Sequence, residues 1–147
     1  MLIGMLLVSC SSSKNKMIKK DLLNFTPGTC TIIGQIISID KTKLSKDKNS
    51  PCSKQPCWAT VKINSVIGCG AGAPVIGIKD TVTVKFAFTL GETTKELFPN
   101  LEKRMPGLHV NSIFEAQISS LKTLNFAAEK NAGMYQIYTY KLVSQIK

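Results

Sequence analysis

From Thr81 to Leu90 apolar and polar residues alternate: Val82, Val84, Phe86, Phe88 and Leu90 fall on one side, and Thr81, Thr83, Lys85 and Thr89 on the other. A period of two sustained this long does not suit a helix and requires a strand with one face in a core. Four more segments read the same way. Ser112–Ser119 sets Phe114, Ala116 and Ile118 inward and Glu115, Gln117 and Ser119 outward. Cys57–Gly68 sets Ala59, Val61, Ile63 and Ile67 against Trp58, Thr60, Lys62 and Asn64. Met134–Val143 is rich in Tyr, Ile, Thr and Val, a strand composition. Thr29–Ile39 is apolar on both faces and contains Gly34, which predicts a long strand with a bulge or bend. Thr93 and Glu96 have capping-box spacing, so a short helix is expected between strands 3 and 4. Pro106-Gly107 is a turn signal.

The predicted fold class is thus all-β, with five strands and one short helix. This order resembles the OB-fold, a small Greek-key barrel whose first strand is long and kinked. The resemblance is topological and covers residues 29–144. The competing immunoglobulin-type sandwich needs more strands than five. The chain is also similar to netrin-like domains, the OB variant of the tissue inhibitors of metalloproteinases, in strand order and in having a cysteine, Cys30, that opens the first strand. Those inhibitors place a free amino-terminal cysteine on the protease zinc. No such residue carries over here, so the resemblance implies fold alone.

Leu2–Val8 is an apolar run too short to span a bilayer, and it ends at Ser9-Cys10. The tetrad Leu7-Val8-Ser9-Cys10 resembles the lipobox of bacterial prolipoproteins. The resemblance implies that residues 1–9 are a signal peptide, that cleavage follows Ser9, and that Cys10 carries acyl chains such as palmitate. Acylation anchors at about 0.8 kcal/mol per buried CH₂. Residues 10–28 then form a basic tether, and residues 29–147 the barrel domain. No acidic cluster follows Cys10 to mark surface export, so an outer-membrane protein facing the periplasm is expected.

With Cys10 acylated, Cys30, Cys52, Cys57 and Cys69 remain, an even number in an oxidising compartment. If strands 1 and 2 pair as a hairpin whose residue numbers sum to a constant, Ile32 faces Ile67, Ile36 faces Ile63 and Asp40 faces Ala59. The same register sets Cys30 opposite Cys69, within disulfide reach. This predicts Cys30–Cys69 and leaves Cys52–Cys57 to close a small loop at the hairpin tip. Free thiols rank second. A zinc site ranks last, because Cys52-x4-Cys57 lacks the tight knuckle spacing.

Of the 19 basic residues only Arg104 is an arginine. Lysine lacks the bidentate fork used to read bases. Residues 11–56 alone hold nine lysines against Asp21, Asp40 and Asp47, so most of the +10 excess lies in the tether and the first loop. That pattern suits an anionic membrane surface and argues against nucleic acid as a partner. His109 is the sole histidine, and there is no Gly-x-Ser-x-Gly elbow, His-Glu-x-x-His motif or Gly-Lys-Ser/Thr loop. No catalytic set, metal site or cofactor is expected. A hydrolase using His109 is the least favoured reading.

The candidate ligand face is the outward side of strand 2, namely Trp58, Thr60, Lys62 and Asn64, flanked by the lysine-rich loop Lys41–Pro56 and by Leu121–Gly133. OB-folds bind ligands across this region. An outward tryptophan beside polar residues suits a sugar or a peptide, and its plainer role is to cover the barrel end beneath the loop. The expected function is therefore a membrane-anchored, non-enzymatic binding or assembly module whose partner is an envelope protein or glycan. The alternative is a structural accessory subunit with no small ligand.

Overall fold

The structure is a computed structural model that describes residues 24–121 and 133–145. The signal peptide, Cys10 and most of the tether lie outside the described residues, as does most of the loop Leu121–Gly133. Five strands form one mixed sheet: β1 (Thr29–Asp40), β2 (Trp58–Cys69), β3 (Thr81–Phe86), β4 (Ser112–Ser120) and β5 (Met134–Gln145). Their order is β1-β2-β3-β5-β4, and β4 pairs back onto β1, so the sheet closes on itself. All pairings are antiparallel except β3 with β5. Closure gives every strand a partner on each side, although β3 covers only Trp58–Lys62 of β2 and Met134–Ile137 of β5.

The alternating patterns set the inner face. Cys30, Ile32 and Ile36 of β1 point inward, as do Ala59, Val61 and Ile63 of β2, Val84 and Phe86 of β3, and Phe114, Ala116 and Ile118 of β4. Phe86, Phe114 and Tyr140 meet edge-to-face in the centre, with ring centroids 5.7, 6.3 and 6.2 Å apart. Each such pair adds about 0.5–1.5 kcal/mol beyond simple burial. The Tyr140 hydroxyl is not left unpaired: the Gly107 N–H donates to it at 2.8 Å. Burial pushes the phenol up to about 12, against the partly offsetting pull of that bond.

The uniform hairpin register does not hold. Cys30 faces Cys69, but Ile32 faces Val66, Ile36 faces Val61, and Asp40 faces Trp58. The register shifts between Thr31 and Ile32, between Ile33 and Gly34, and between Ile36 and Ser38. Each shift bends the ribbon, as closing so small a barrel requires. The shifts also change which residues face inward. Ile67, expected in the core, is 44% exposed, and Val66 packs on the core in its place. Gly34 stands at one of these breaks. A Cβ there would lie 2.8 Å from Val61 Cγ1 and 3.0 Å from Phe114 Cζ, so only glycine fits the close approach.

Two other expectations are corrected. The strand over Thr81–Leu90 ends at Phe86, because the chain turns there and Thr89 takes a left-handed conformation with φ of 68°. Phe88 and Leu90 still pack against the core, but from a plug and not from a strand. The short helix at Thr93 is replaced by a single turn, in which the Phe98 N–H donates to the Thr94 carbonyl at 3.0 Å. Thr93 does not cap. Its buried hydroxyl accepts from the Met105 N–H at 2.7 Å, and at Pro99 the chain passes into a separate turn, in which the Leu101 N–H donates to the Phe98 carbonyl at 3.3 Å. Leu90, Met105 and Leu108, which flank this segment, are buried in the core.

Candidate functional site

Both expected disulfides are present. Cys30–Cys69 joins the facing ends of β1 and β2, with Cα atoms 4.0 Å apart. Cys52–Cys57 closes the tip of the first loop, with Cα atoms 5.5 Å apart. The second bridge lies immediately before Trp58 and helps to build the cleft into which that residue faces.

The first loop, residues 41–57, is ordered by its own short polar side chains. Asp40 accepts from the Thr42 hydroxyl at 2.6 Å and from its N–H at 2.9 Å, forming an Asx turn. The Thr42 bonds, with a smaller contribution from Lys43, hold the Asp40 carboxyl below its ordinary value. Asp47 makes a second such turn with the Asn49 N–H at 2.9 Å. Ser50 caps a short 3₁₀ turn, Pro51–Ser53, and the Ser45 N–H donates to the Cys52 carbonyl at 3.0 Å. The loop therefore folds back over the sheet as a braced flap.

Beneath the flap is a cleft of about 420 Å³ lined by Lys43, Leu44, Ser45, Ser50, Cys52, Trp58, Lys85 and Met134. Trp58 forms its floor. The ammonium groups of Lys43 and Lys85 lie 5.4 and 6.0 Å from the indole ring, within cation–π range. Lys85 reaches it because Trp58 and Lys85 are direct cross-strand partners, whose side chains share one face. No carboxylate is among the described lining residues; Asp40 meets Lys43 from outside the cleft, at 3.7 Å. The site thus joins an aromatic plate, two cations and the Ser45 and Ser50 hydroxyls.

Of the expected ligand face, the structure brings Trp58 into this cleft. Thr60 and Lys62 continue along the same outer face opposite Thr83 and Thr81. Asn64 is exposed at a register break and does not line the cleft. Lys85 and Met134 belong to the site but were missed. The alternation of β3 does turn Lys85 outward, but only the β2–β3 pairing shows that it stands beside Trp58. His109 is exposed on the turn before β4, where its carbonyl accepts from the Ser112 N–H at 3.0 Å, and it lines none of the described clefts. Among the described residues no group of three His, Cys, Asp or Glu side chains is placed to hold a metal ion.

The chain matches no family model, no curated protein and no solved structure.

Proposed function

We propose that this chain is a lipid-anchored protein of the bacterial envelope, with an OB-type barrel that binds an acidic glycan in the cleft beneath its first loop. The lipobox-like Leu7-Val8-Ser9-Cys10 supports the anchor. The two disulfides support a location in an oxidising compartment, where such bridges persist. The long, bulged first strand and the strand order β1-β2-β3-β5-β4 support the OB assignment. One observation carries the binding role: half-exposed Trp58 lies in a cleft between two lysines, and among the described residues no carboxylate lines it. A sugar ring stacks on the indole while its carboxylate accepts from the lysines.

Trp58 is the only tryptophan, so its emission reports this cleft and nothing else. Titration with oligogalacturonates is expected to shift that emission saturably, whereas neutral maltodextrins of equal length leave it unchanged. Lys85→Ala is expected to weaken binding roughly tenfold, the worth of one charge-assisted hydrogen bond. Equal response to both oligosaccharides refutes the acidic preference, and response to neither refutes the binding role. A stoichiometric protein partner recovered from detergent-solubilised membranes, with no glycan response, would instead make the chain an accessory subunit. Palmitate labelling that survives Cys10→Ala refutes the anchor.

A further inference from the structure

Charge is unevenly spread over the described residues. The flap, residues 41–57, carries Lys41, Lys43, Lys46, Lys48 and Lys54 against one acid, Asp47. In the remaining described residues seven Lys and Arg side chains stand against six Asp and Glu. All five flap lysines are exposed. The neighbouring acids do not neutralise them. Asp47 lies between Lys46 and Lys48 in sequence, but its carboxylate accepts from the Asn49 N–H at 2.9 Å. Asp40 accepts from the Thr42 hydroxyl and N–H and reaches Lys43 at 3.7 Å, the one ion pair among the described residues. Lys41, Lys46, Lys48 and Lys54 thus have no carboxylate at ion-pair distance among the described residues.

The backbone gathers these lysines beside the Trp58 cleft. The Ser45 N–H donates to the Cys52 carbonyl at 3.0 Å, which sets Lys46 near the Cys52–Cys57 bridge. The Ser53 hydroxyl donates to the Lys48 carbonyl at 3.2 Å, which sets Lys54 near Lys48. Ser45, Ser50 and Cys52, in the same turns, line the cleft. The cationic patch is therefore continuous with the mouth of the cleft, where Lys43 and Lys85 flank the indole. Like charges brought together repel. A braced loop that holds them there without counter-charges is suited to an anion of several charges.

We infer that the flap is the second half of the glycan site, and that the ligand is a polyanionic chain longer than the cleft. One ring stacks on Trp58, and the carboxylates of following residues lie along Lys46, Lys48 and Lys54. The inference rests on the proposed binding role of the cleft, and it adds the length and the repeating charge of the ligand. A short acidic sugar fills the cleft without meeting these three lysines, which do not line it. A bilayer surface also meets exposed lysines, but it offers no ring to the indole. Each contact between a lysine and a charged repeat releases counter-ions, so the flap's share of the affinity falls with salt.

The test titrates the full-length protein with digalacturonate and with a galacturonate decamer, read by Trp58 emission. Lys46→Gln, Lys48→Gln and Lys54→Gln combined removes flap charge at exposed positions. This triple variant is expected to bind the dimer as the wild type does and the decamer on the order of tenfold more weakly. Raising salt from about 50 to about 200 mM is expected to erase most of that difference. An unchanged decamer affinity overturns the inference while the cleft reading stands, since the decamer then gains only from the number of registers a long chain offers. Equal weakening of dimer and decamer also overturns it, because the lysines then act on the cleft alone. Sedimentation with phosphatidylglycerol vesicles that the triple variant abolishes, beside an unchanged decamer affinity, assigns the lysines to a membrane surface instead. No wild-type response to either oligomer refutes the binding role itself, and the inference falls with it.

Discussion

The β1–β2 hairpin is polar and cationic at one end and apolar at the other. Where Asp40 faces Trp58, a flap of Asx turns carries lysines over an aromatic floor. Where Cys30 faces Cys69, the strands run into a loop that shows Val75 to solvent and is met by the segment leading into β1, through the Gly28 N–H and the Ala71 carbonyl. The two strands are 12 residues long, and the loop returns along β2 as far as Ile63 before β3 begins. Each end also has its own disulfide, but the two bridges do different work. Cys30–Cys69 fixes the register of the sheet before three shifts bend it, whereas Cys52–Cys57 lies outside the sheet and fixes the flap. Changes in the flap can therefore leave the strand register at the other end of the hairpin undisturbed.

Removing each bridge separates these roles, and the largest effect is expected at the apolar end. Cys30–Cys69 spans 39 residues of sequence, which corresponds to about 4 kcal/mol of loop-closure entropy in the unfolded chain. Cys30→Ala with Cys69→Ala is expected to lower the unfolding free energy by about that much in denaturant titration. Cys52–Cys57 spans only 5 residues, and its removal is expected to cost about 2 kcal/mol. The second pair should also change the emission of Trp58 in the folded protein, which the first pair should not. Equal losses, or a Trp58 response to the first pair alone, would break the division between the two ends.

The disulfides were legible in the sequence for a physical reason that also explains what was not. The uniform register matches apolar faces along the strands, and those pairs are shifted, but at Cys30 and Thr31, beyond the shifts, it coincides with the observed pairing. Further along, the pairing depends on where the ribbon bends, and that is set by closure of the whole barrel. Gly34 showed that a bend was coming, but its consequence, the loss of Ile67 from the core to Val66, needed the partner strand. The pattern over Thr81–Leu90 gave burial correctly and conformation only in part. Phe88 and Leu90 bury in a turn-rich plug, and alternation alone does not separate a plug from a strand. At the cleft, Trp58 was read from its own strand, whereas Lys85 and Met134 enter through β3 and β5, whose pairing is non-local.

A smaller effect is expected at the centre of the barrel, between the two ends. Tyr140→Phe removes the bond from the Gly107 N–H and is expected to cost about 1 kcal/mol by thermal or denaturant unfolding. The same variant tests the raised phenol. Because the folded value lies near 12 and the ordinary value is 10.0, the unfolded chain ionises first as pH rises. The neutral phenol's contribution is complete below pH 10 and is lost as pH rises toward 12. Wild-type stability is therefore expected to fall more steeply than that of Tyr140→Phe across this window. Parallel pH profiles would mean that the hydroxyl is not sequestered in the core.

The smallest effect is expected at the cationic mouth, and it concerns the shape of the flap more than global stability. Asp40 titrates below 3.8 because its charged form accepts two bonds from Thr42 and faces Lys43. A lowered value means that the turn is fully formed above pH 3.8 and loosens as pH falls through the lower folded value. Protonation releases Lys43, whose ammonium lies 5.4 Å from the Trp58 ring, so acid titration should show an emission step with a midpoint under 3.8. Asp40→Asn is expected to abolish that step and to leave the melting temperature almost unchanged, since the carboxylate is solvent-exposed. A step that survives the substitution would place the acid-sensitive group elsewhere in the flap. A melting temperature that drops with it would show that the flap and the barrel unfold as one unit, against the independence of the two ends.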